Sequence, residues 1–384
     1  MMKVAIILNE MNLGGIPRAC VPIMQKLSDY AEVTLILASN SGELTYQVPT
    51  EVKQVIIPIR RNRYVLSKYI MEHRYLKALS FLCYSVFHGR ITKRWVKANA
   101  QCSQHIGYIV DTKFDCAIAF HGMNIDSLTR TLFNIDAVKK IAWIHGDHPF
   151  TDKHILDARE IYKQFDKLFF DSHICKNNFL RDFPDISVDM DIFYCLLNTA
   201  EIKTMSIYDI PQEFSPEYIN ILTVGRLSPE KGQDMIPEIL KRLSKYKVRW
   251  YLIGDGHDRQ RLEQLKITNG TSQMIFLGAM DNPYPYIKAC DIYVQPSYSE
   301  AYSLTAFEAA TLGKPIVITD VAGASELLVS GEDALVVPTS PESIADAISQ
   351  LIENSALRHT LSINVSQKEF SNYNEVGKLL DFIR

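Results

Sequence analysis

From Ile219 onward the chain alternates in a way that leaves few folds open to it. Six short apolar runs, INILTVG, VRWYLIG, MIFLG, DIYVQPS, KPIVITD and ALVVP, are interleaved with helical patterns such as MIPEILKRLSK, DRQRLEQL, PYPYIKAC, ASELLV and SPESIADAISQLI. A short apolar run bounded by turn residues reads as a strand covered on both faces. A strand that returns through a helix to a parallel neighbour crosses over right-handed. The alternation therefore predicts an α/β domain with a parallel, doubly wound sheet. The first half begins alike, with KVAIIL, a loop containing Gly14 and Gly15, and a helical pattern with Pro17 near its start, where a missing N–H does no harm. EVTLILAS and VKQVIIPI follow, and later FDCAIAFHG, KKIAWIHGDHPF and KLFFDS, each before a plausible helix. The chain reads as two Rossmann-like domains, 1–200 and 201–370, joined by the polar stretch TAEIKTMSIYDIPQEFSPEYIN. The last segment, 371–384, is expected to form a helix that crosses back to the first domain.

Composition sets the compartment rather than the fold. With 47% hydrophobic and 22% charged residues among 384, and a net charge of −3, the chain has the make-up of a soluble globular protein with no overall pull toward nucleic acid. The N-terminal MMKVAIILNE is too short in its apolar run for a signal peptide, and no stretch reaches the roughly eighteen apolar residues of a membrane span. A cytoplasmic protein is expected. The seven cysteines form no C-x-x-C pair and read as reduced core thiols.

One segment departs from this even composition. Between Pro58 and Lys97 lie Arg60, Arg61, Arg63, Lys68, Arg74, Lys77, Arg90, Lys93 and Arg94, opposed by the single acid Glu72 and interleaved with Tyr64, Tyr69, Tyr75, Phe81, Tyr84, Phe87 and Trp95. A basic, aromatic, helical insertion over 58–106 suits an anionic membrane surface, at roughly 1 kcal/mol per basic residue near anionic lipid. Arg60, Arg61, Arg63, Lys68, Arg90, Lys93 and Arg94 are the residues expected to touch membrane or acceptor. The plainer reading is an insertion whose aromatics are core and whose charges are merely solvated. No nucleic-acid motif accompanies it.

Open α/β sheets bind ligands outside the carboxyl ends of their strands, so strand ends carry the candidates. In SEAYSLTAFEAATLGKPIV, Glu300 follows an apolar run directly and Glu308 falls in the helical pattern after it. The first-turn N–H groups of such a helix make an anion site. Two acids beside an anion site suit a ligand with both hydroxyls and phosphates, such as a nucleotide sugar. In GRLSPEKGQD, Arg226 and Lys231 flank a turn that opens a helix, a natural diphosphate clamp. Gly254 and Gly256 close another strand in IGDG, and His121 and His145 end strands in the first half. The group His145, Asp147, His148, Asp152 and His154 lacks the tight helical pair or cysteine pairs of a zinc site, so no metal is assigned to it.

Together GRLSPEKG, IGDG, FLG and EAYSLTAFE, followed by LGKPIVITDVAGASELL, resemble the family-4 retaining glycosyltransferases of the GT-B fold, the group 1 glycosyl transferases. The resemblance covers most of the second half and, in the first, mainly NLGG and WIH. It implies two Rossmann-like domains facing across a cleft, with a nucleotide-sugar donor, UDP-sugar before GDP-sugar, and no metal or other cofactor. Arg226 and Lys231 would bind the diphosphate, Glu300 the sugar hydroxyls and Glu308 the ribose. Backbone near Tyr302, Ser303 and Leu304 would take the phosphates, backbone near Met280 the base, and Gly254 would border the donor. Gly15 would approach the diphosphate, and His145 would line the reacting sugar. The implied activity transfers a hexose or N-acetylhexosamine, with retention, to a glycan or polyprenyl-linked acceptor in cell-surface glycan synthesis. Ala301 stands where the family usually has glycine, Ser303 where it often has glycine or proline, and LLNTAE replaces its commoner N-G-V-D, which weakens any role for Asn198. A catalytically silent nucleotide-sugar-binding partner subunit, or an epimerase of the same fold, is the competing reading.

Overall fold

The computed structural model describes residues 1–12, 14–39, 42–57, 66–67, 69–86, 95–146, 158–207, 211–321 and 323–384. They form two compact units. The first comprises Met1–Asp171, Cys175–Tyr194 and Tyr373–Arg384, and the second comprises Ser172–Ile174 and Cys195–Asn372.

The first unit is built on β1 (Met2–Leu8), β2 (Ala31–Leu37), β3 (Lys53–Ile56), β4 (Phe114–Ala119), β5 (Ala137–Ile144), β6 (Lys167–Phe170) and β7 (Asp189–Ile192), in the order β3-β2-β1-β4-β5-β6-β7. Every pair is parallel, with Val4 opposite both Val33 and Cys116 in the centre. Covered on both faces, β1 buries Val4 to Leu8 without a polar interruption, the pattern a central parallel strand demands. β7 comes from a stretch left unassigned above. Its sequence DMDI is half polar and its first residue is exposed, so an edge strand gave little apolar signal.

The second unit repeats the plan with β8 (Ile219–Val224), β9 (Val248–Ile253), β10 (Met274–Gly278), β11 (Ile292–Gln295), β12 (Ile316–Thr319) and β13 (Leu335–Val337), in the order β10-β9-β8-β11-β12-β13. All six apolar runs of the second half are strands, and all pair in parallel. Trp250, Leu252, Ile292 and Val317 bury fully in its core against Ile344 and Ile348 of the helix Pro341–Glu353. The two doubly wound sheets give the expected GT-B fold class its components.

In both sheets building starts in the middle, moves to one edge, then returns to the other side of the first strand. The reversal leaves a crevice at the carboxyl ends of β1 and β4 and of β8 and β11, where open sheets bind ligands. The stretch read as a linker opens with a helix, Thr199–Met205, capped by the Asn198 side chain accepting from the Glu201 N–H at 3.2 Å. The chain ends in the helix Glu375–Ile383, which belongs to the first unit and buries Val376, Leu379, Leu380 and Ile383. Its Lys378 donates to the Ile192 carbonyl at 2.9 Å, and its Glu375 accepts from the Tyr194 N–H at 3.3 Å. Six cysteines are buried, as read, but Cys83 is exposed. Desolvation pushes the Cys20 and Cys116 thiols well above their usual range and Cys290 up to about 12. No helix among the described residues is long and apolar enough to cross a membrane.

Candidate functional site

In the second unit, the loops after β8 and β11 lock together. The Glu230 carbonyl accepts from the backbone N–H groups of Tyr298 at 2.9 Å and Ser299 at 3.2 Å. Gly232 makes that approach possible. Its φ is +65°, and a Cβ there would sit 2.0 Å from the Pro296 carbonyl oxygen, so neither the conformation nor the space admits a larger residue. The interlock carries Lys231 to Glu300, and the ammonium meets the carboxylate at 2.7 Å. Glu300 is buried and also accepts from Ser297 Oγ at 2.7 Å and Gln295 Nε2 at 3.1 Å. Gln295 is held in turn by the Tyr293 hydroxyl at 2.9 Å. The sugar-binding candidate and one of the diphosphate-binding candidates are thus partners of each other.

Arg226 differs from Lys231 in kind. Its side chain is 64% exposed and lies 3.7 Å from Glu230, a pair worth little in water. Burial works against the Glu230 carboxylate, but the Ser228 hydroxyl, the residue's own backbone N–H and the Arg226 and Lys231 cations together hold its pKa below the ordinary value. Glu230 therefore stays charged at neutral pH.

The helix Leu304–Thr311 starts immediately after this loop, from Ser303 in a left-handed conformation with φ 64° and ψ 55°. A serine held there is strained by about 1 kcal/mol or more, and such strain gathers at ligand sites. The Ser303 Oγ is buried without a hydrogen-bond partner among the described residues, beside first-turn N–H groups that have no partner inside the helix. Tyr302 turns inward. Its hydroxyl accepts from Asn372 Nδ2 at 2.7 Å and its ring packs 4.7 Å from Phe307, so its backbone is what it offers a ligand. One turn on, Glu308 is buried and accepts from the Tyr284 hydroxyl at 3.3 Å. Tyr284 belongs to the segment that follows β10, where half-buried Met280 lies. Gly254, with φ +139°, lets the end of β9 approach β8, since a Cβ would lie 2.0 Å from the Gly225 carbonyl. Its glycine is required by the sheet itself.

In the first unit, Gly15 opens the helix Gly15–Ser28 after β1. Gly14 is extended at φ 171°, and a Cβ on Gly15 would meet nothing within 4 Å. Neither conformation nor packing among the described residues requires glycine at these two positions. At the end of β5, His145 Nδ1 lies 2.7 Å from Asp171 Oδ2, and Trp143 Nε1 donates to Asp171 Oδ1 at 3.0 Å. His121, at the end of β4, is pushed down to about 4 by burial first and by nearby His145 second. It is neutral at pH 7. Asp171, Ser297, Gln295 and Tyr284 escaped the sequence reading. Asp171 was within reach of it, as the first polar residue after the apolar run KLFF. Arg60, Arg61, Arg63, Lys68, Arg90, Lys93 and Arg94 lie outside the described residues, as do Asp147, His148, Asp152 and His154.

The comparisons relate the second unit to a known family. Residues 208–368 match the family model described as glycosyl transferases group 1, so this segment is a group 1 glycosyl transferase domain. An uncharacterized glycosyltransferase of Methanocaldococcus jannaschii, MJ1178, is 32% identical over 242 residues, covering 61% of this chain and 64% of that protein. The N,N'-diacetylbacillosaminyl-diphospho-undecaprenol alpha-1,3-N-acetylgalactosaminyltransferase of Campylobacter jejuni is 30% identical over 193 residues, half of each chain. The chain thus spans about half to two-thirds of the length of these relatives. Among solved structures, Anabaena HepE in complex with UDP and glucose aligns over 100% of this chain and 99% of its own, with a TM-score of 0.72 at 16% identity. That likeness is one of fold.

Proposed function

We propose that the protein is a retaining glycosyltransferase that moves a sugar from a nucleotide-diphosphate donor, UDP-sugar first, to a glycan or polyprenyl-linked acceptor. The observation that carries this reading is the interlocked pair of loops at the carboxyl ends of β8 and β11, which joins Lys231, Glu300, Ser303 and the open helix N-terminus. Breaking a sugar–phosphate bond places negative charge on the departing diphosphate. Fixed donors aimed at that charge, here Arg226, Lys231 and the N–H groups of Ser303 and Leu304, stabilise the transition state more than the ground state. Cations and helix N–H groups suffice for this electrostatic task, so the reading assigns no metal. Glu300 takes sugar hydroxyls, Glu308 the ribose, and backbone near Met280 the base. Gly15, glycine without a packing reason, leaves room for the diphosphate, and His145 lines the sugar. Retention follows if the acceptor attacks from the face the diphosphate leaves, with the phosphate accepting the acceptor's proton. The UDP and glucose of the HepE complex and the polyprenyl acceptor in the Campylobacter enzyme's name support the choice of donor and acceptor class.

A lipid-linked acceptor would keep the enzyme peripheral, at the cytoplasmic face of an anionic membrane, and the helix Tyr75–Val86 suits that position. Ala78 and Phe81 bury, while Tyr75, Leu76, Leu79, Leu82 and Val86 stand 40–85% exposed. The basic residues that flank this helix in sequence supply the complementary charge.

A thermal-shift panel of uridine, guanosine and adenosine diphosphates, run with and without EDTA, tests the donor. A ligand at a hundred times its dissociation constant adds about 2.7 kcal/mol of stability. UDP is expected to stabilise equally with and without chelator, and Arg226→Ala to lower turnover about a hundredfold. Product NMR is expected to show the donor's anomeric configuration. Stabilisation by no nucleotide would sink the reading.

A further inference from the structure

We infer that Asp171 is a positioning residue that holds His145 in one ring flip and one tautomer, with the proton on Nδ1 and Nε2 left to accept a hydrogen bond from a sugar hydroxyl. The inference rests on the glycosyl-transfer reading for what the histidine serves, though not for its geometry.

The deduction starts at Trp143. An indole N–H only donates, so Asp171 Oδ1, 3.0 Å from Trp143 Nε1, must accept. The other oxygen, Oδ2, lies 2.7 Å from His145 Nδ1. An ionised carboxylate has no proton to give, so the hydrogen on that second contact sits on Nδ1. Both side chains are buried, with 5% of His145 and 3% of Asp171 exposed, and water offers no substitute partner. In a neutral imidazole the remaining nitrogen, Nε2, is then an acceptor. It is buried with no hydrogen-bond partner among the described residues, which is costly unless something else donates to it.

The aromatic surroundings explain why a carboxylate is needed at all. The His145 ring stacks on Trp143 with 7° between planes and centroids 6.0 Å apart, and Phe120 packs at 4.8 Å. Those walls fix the plane of the imidazole, but a half-turn about Cβ–Cγ preserves the plane and exchanges Nδ1 for a carbon. Packing is nearly blind to that exchange. The hydrogen bond to Asp171 is what distinguishes the two flips, and Trp143 fixes Asp171 in turn. All three residues stand at or just past the carboxyl ends of the adjacent strands β5 and β6.

The test is nitrogen-15 NMR of the full-length protein labelled at histidine, with His145→Asn identifying the resonances. In the neutral ring without ligand, the expected spectrum shows Nδ1 of His145 as the protonated nitrogen and Nε2 as the unprotonated one. An Nε2-protonated neutral ring in the wild type would overturn the inference, and this readout needs no further variant. Asp171→Asn presents an amide N–H₂ to Nδ1 while its oxygen still faces Trp143, so the proton is expected to move to Nε2. Turnover should then fall at least about tenfold, while the dissociation constant for UDP, which carries no sugar, stays within about twofold. Trp143→Phe keeps the ring wall and the carboxylate, and the Nδ1-protonated tautomer should persist. Unchanged tautomer and turnover in Asp171→Asn would also overturn the proposal. Absence of transfer by the wild type would count against the glycosyl-transfer reading and leave the tautomer result standing.

Discussion

At the scale of single residues, the Lys231–Glu300 pair governs how the site stores its charge. Glu300 is 7% exposed at the side chain and Lys231 20%, so the carboxylate is the partner that solvent cannot rescue. Removing the lysine leaves a buried anion that has lost the ammonium, although Ser297 and Gln295 still donate to it, at a cost of about 3 kcal/mol. Removing the carboxylate frees a half-buried ammonium that can reach water, at a cost of about 1 kcal/mol. Urea unfolding of ligand-free Lys231→Met, Glu300→Gln and the double variant should give a coupling of about 1–3 kcal/mol. Additivity within about 0.5 kcal/mol would mean the pair is geometrically close but energetically idle. The same pairing sharpens the proposed function, in which a donor diphosphate would draw on Lys231 while Glu300 still holds it. Glu300→Gln should therefore weaken transfer more than nucleotide binding. Glu300 and the two cations were legible in the sequence as residues that follow strands, and Glu308 as a residue of the next helix. Their pairing was not, because Lys231 and Glu300 are 69 residues apart and meet only because β11 lies beside β8. No local pattern states the order of strands in a sheet.

At the scale of elements, what was legible followed burial. All six strands of the second sheet leave near-continuous apolar runs because parallel strands are covered on both faces. The edge strand β7 and the helix Thr199–Met205 leave little apolar signal, the first because DMDI has little to bury and the second because its sequence is mostly polar and exposed. The signal for that helix was present as Asn198 followed by Glu201, whose side chains also meet at 2.8 Å, an arrangement close to a capping box. The junction of the loops after β8 and β11 makes the strongest demand on a single residue. Gly232→Ala must relieve a 2.0 Å contact with the Pro296 carbonyl and tolerate φ +65°. Backbone offers no rotamer to move aside, so the loops must part. A loss of about 2 kcal/mol or more in stability is expected, with weaker UDP binding by calorimetry as Lys231 withdraws from Glu300. Gly15→Ala makes the contrast. A Cβ there meets nothing within 4 Å among the described residues, so stability should hold within about 0.5 kcal/mol, and any loss of UDP affinity reports the ligand's own approach.

At the scale of the whole molecule, the formal charge of −3 hides a division of labour. Between Pro58 and Lys97 the chain carries ten basic residues against one acid, and within that stretch the helix Tyr75–Val86 turns apolar residues both ways. Ala78 and Phe81 join Tyr69, Cys102 and Ile106 in a small core, which accounts for one face. Leu76 at 85% and Leu79 at 59% exposure have no such account. An apolar face beside cationic sequence matches a surface that is apolar below and anionic above. Vesicle co-sedimentation separates the two contributions. Binding should require anionic lipid and fall as salt rises from about 0.05 to 0.5 M, since screening shortens the reach of each charge to a few ångströms. Leu76→Ser with Leu79→Ser should weaken binding at every salt concentration while leaving its salt dependence unchanged, because these substitutions remove inserted area and no charge. Each exposed leucine buried in the interface contributes about 1.5 kcal/mol or more, so the pair should lower vesicle affinity a hundredfold or so. Equal binding to neutral and anionic vesicles, or full affinity in the double variant, would assign this helix to another partner and leave the donor site proposed for the second unit untouched.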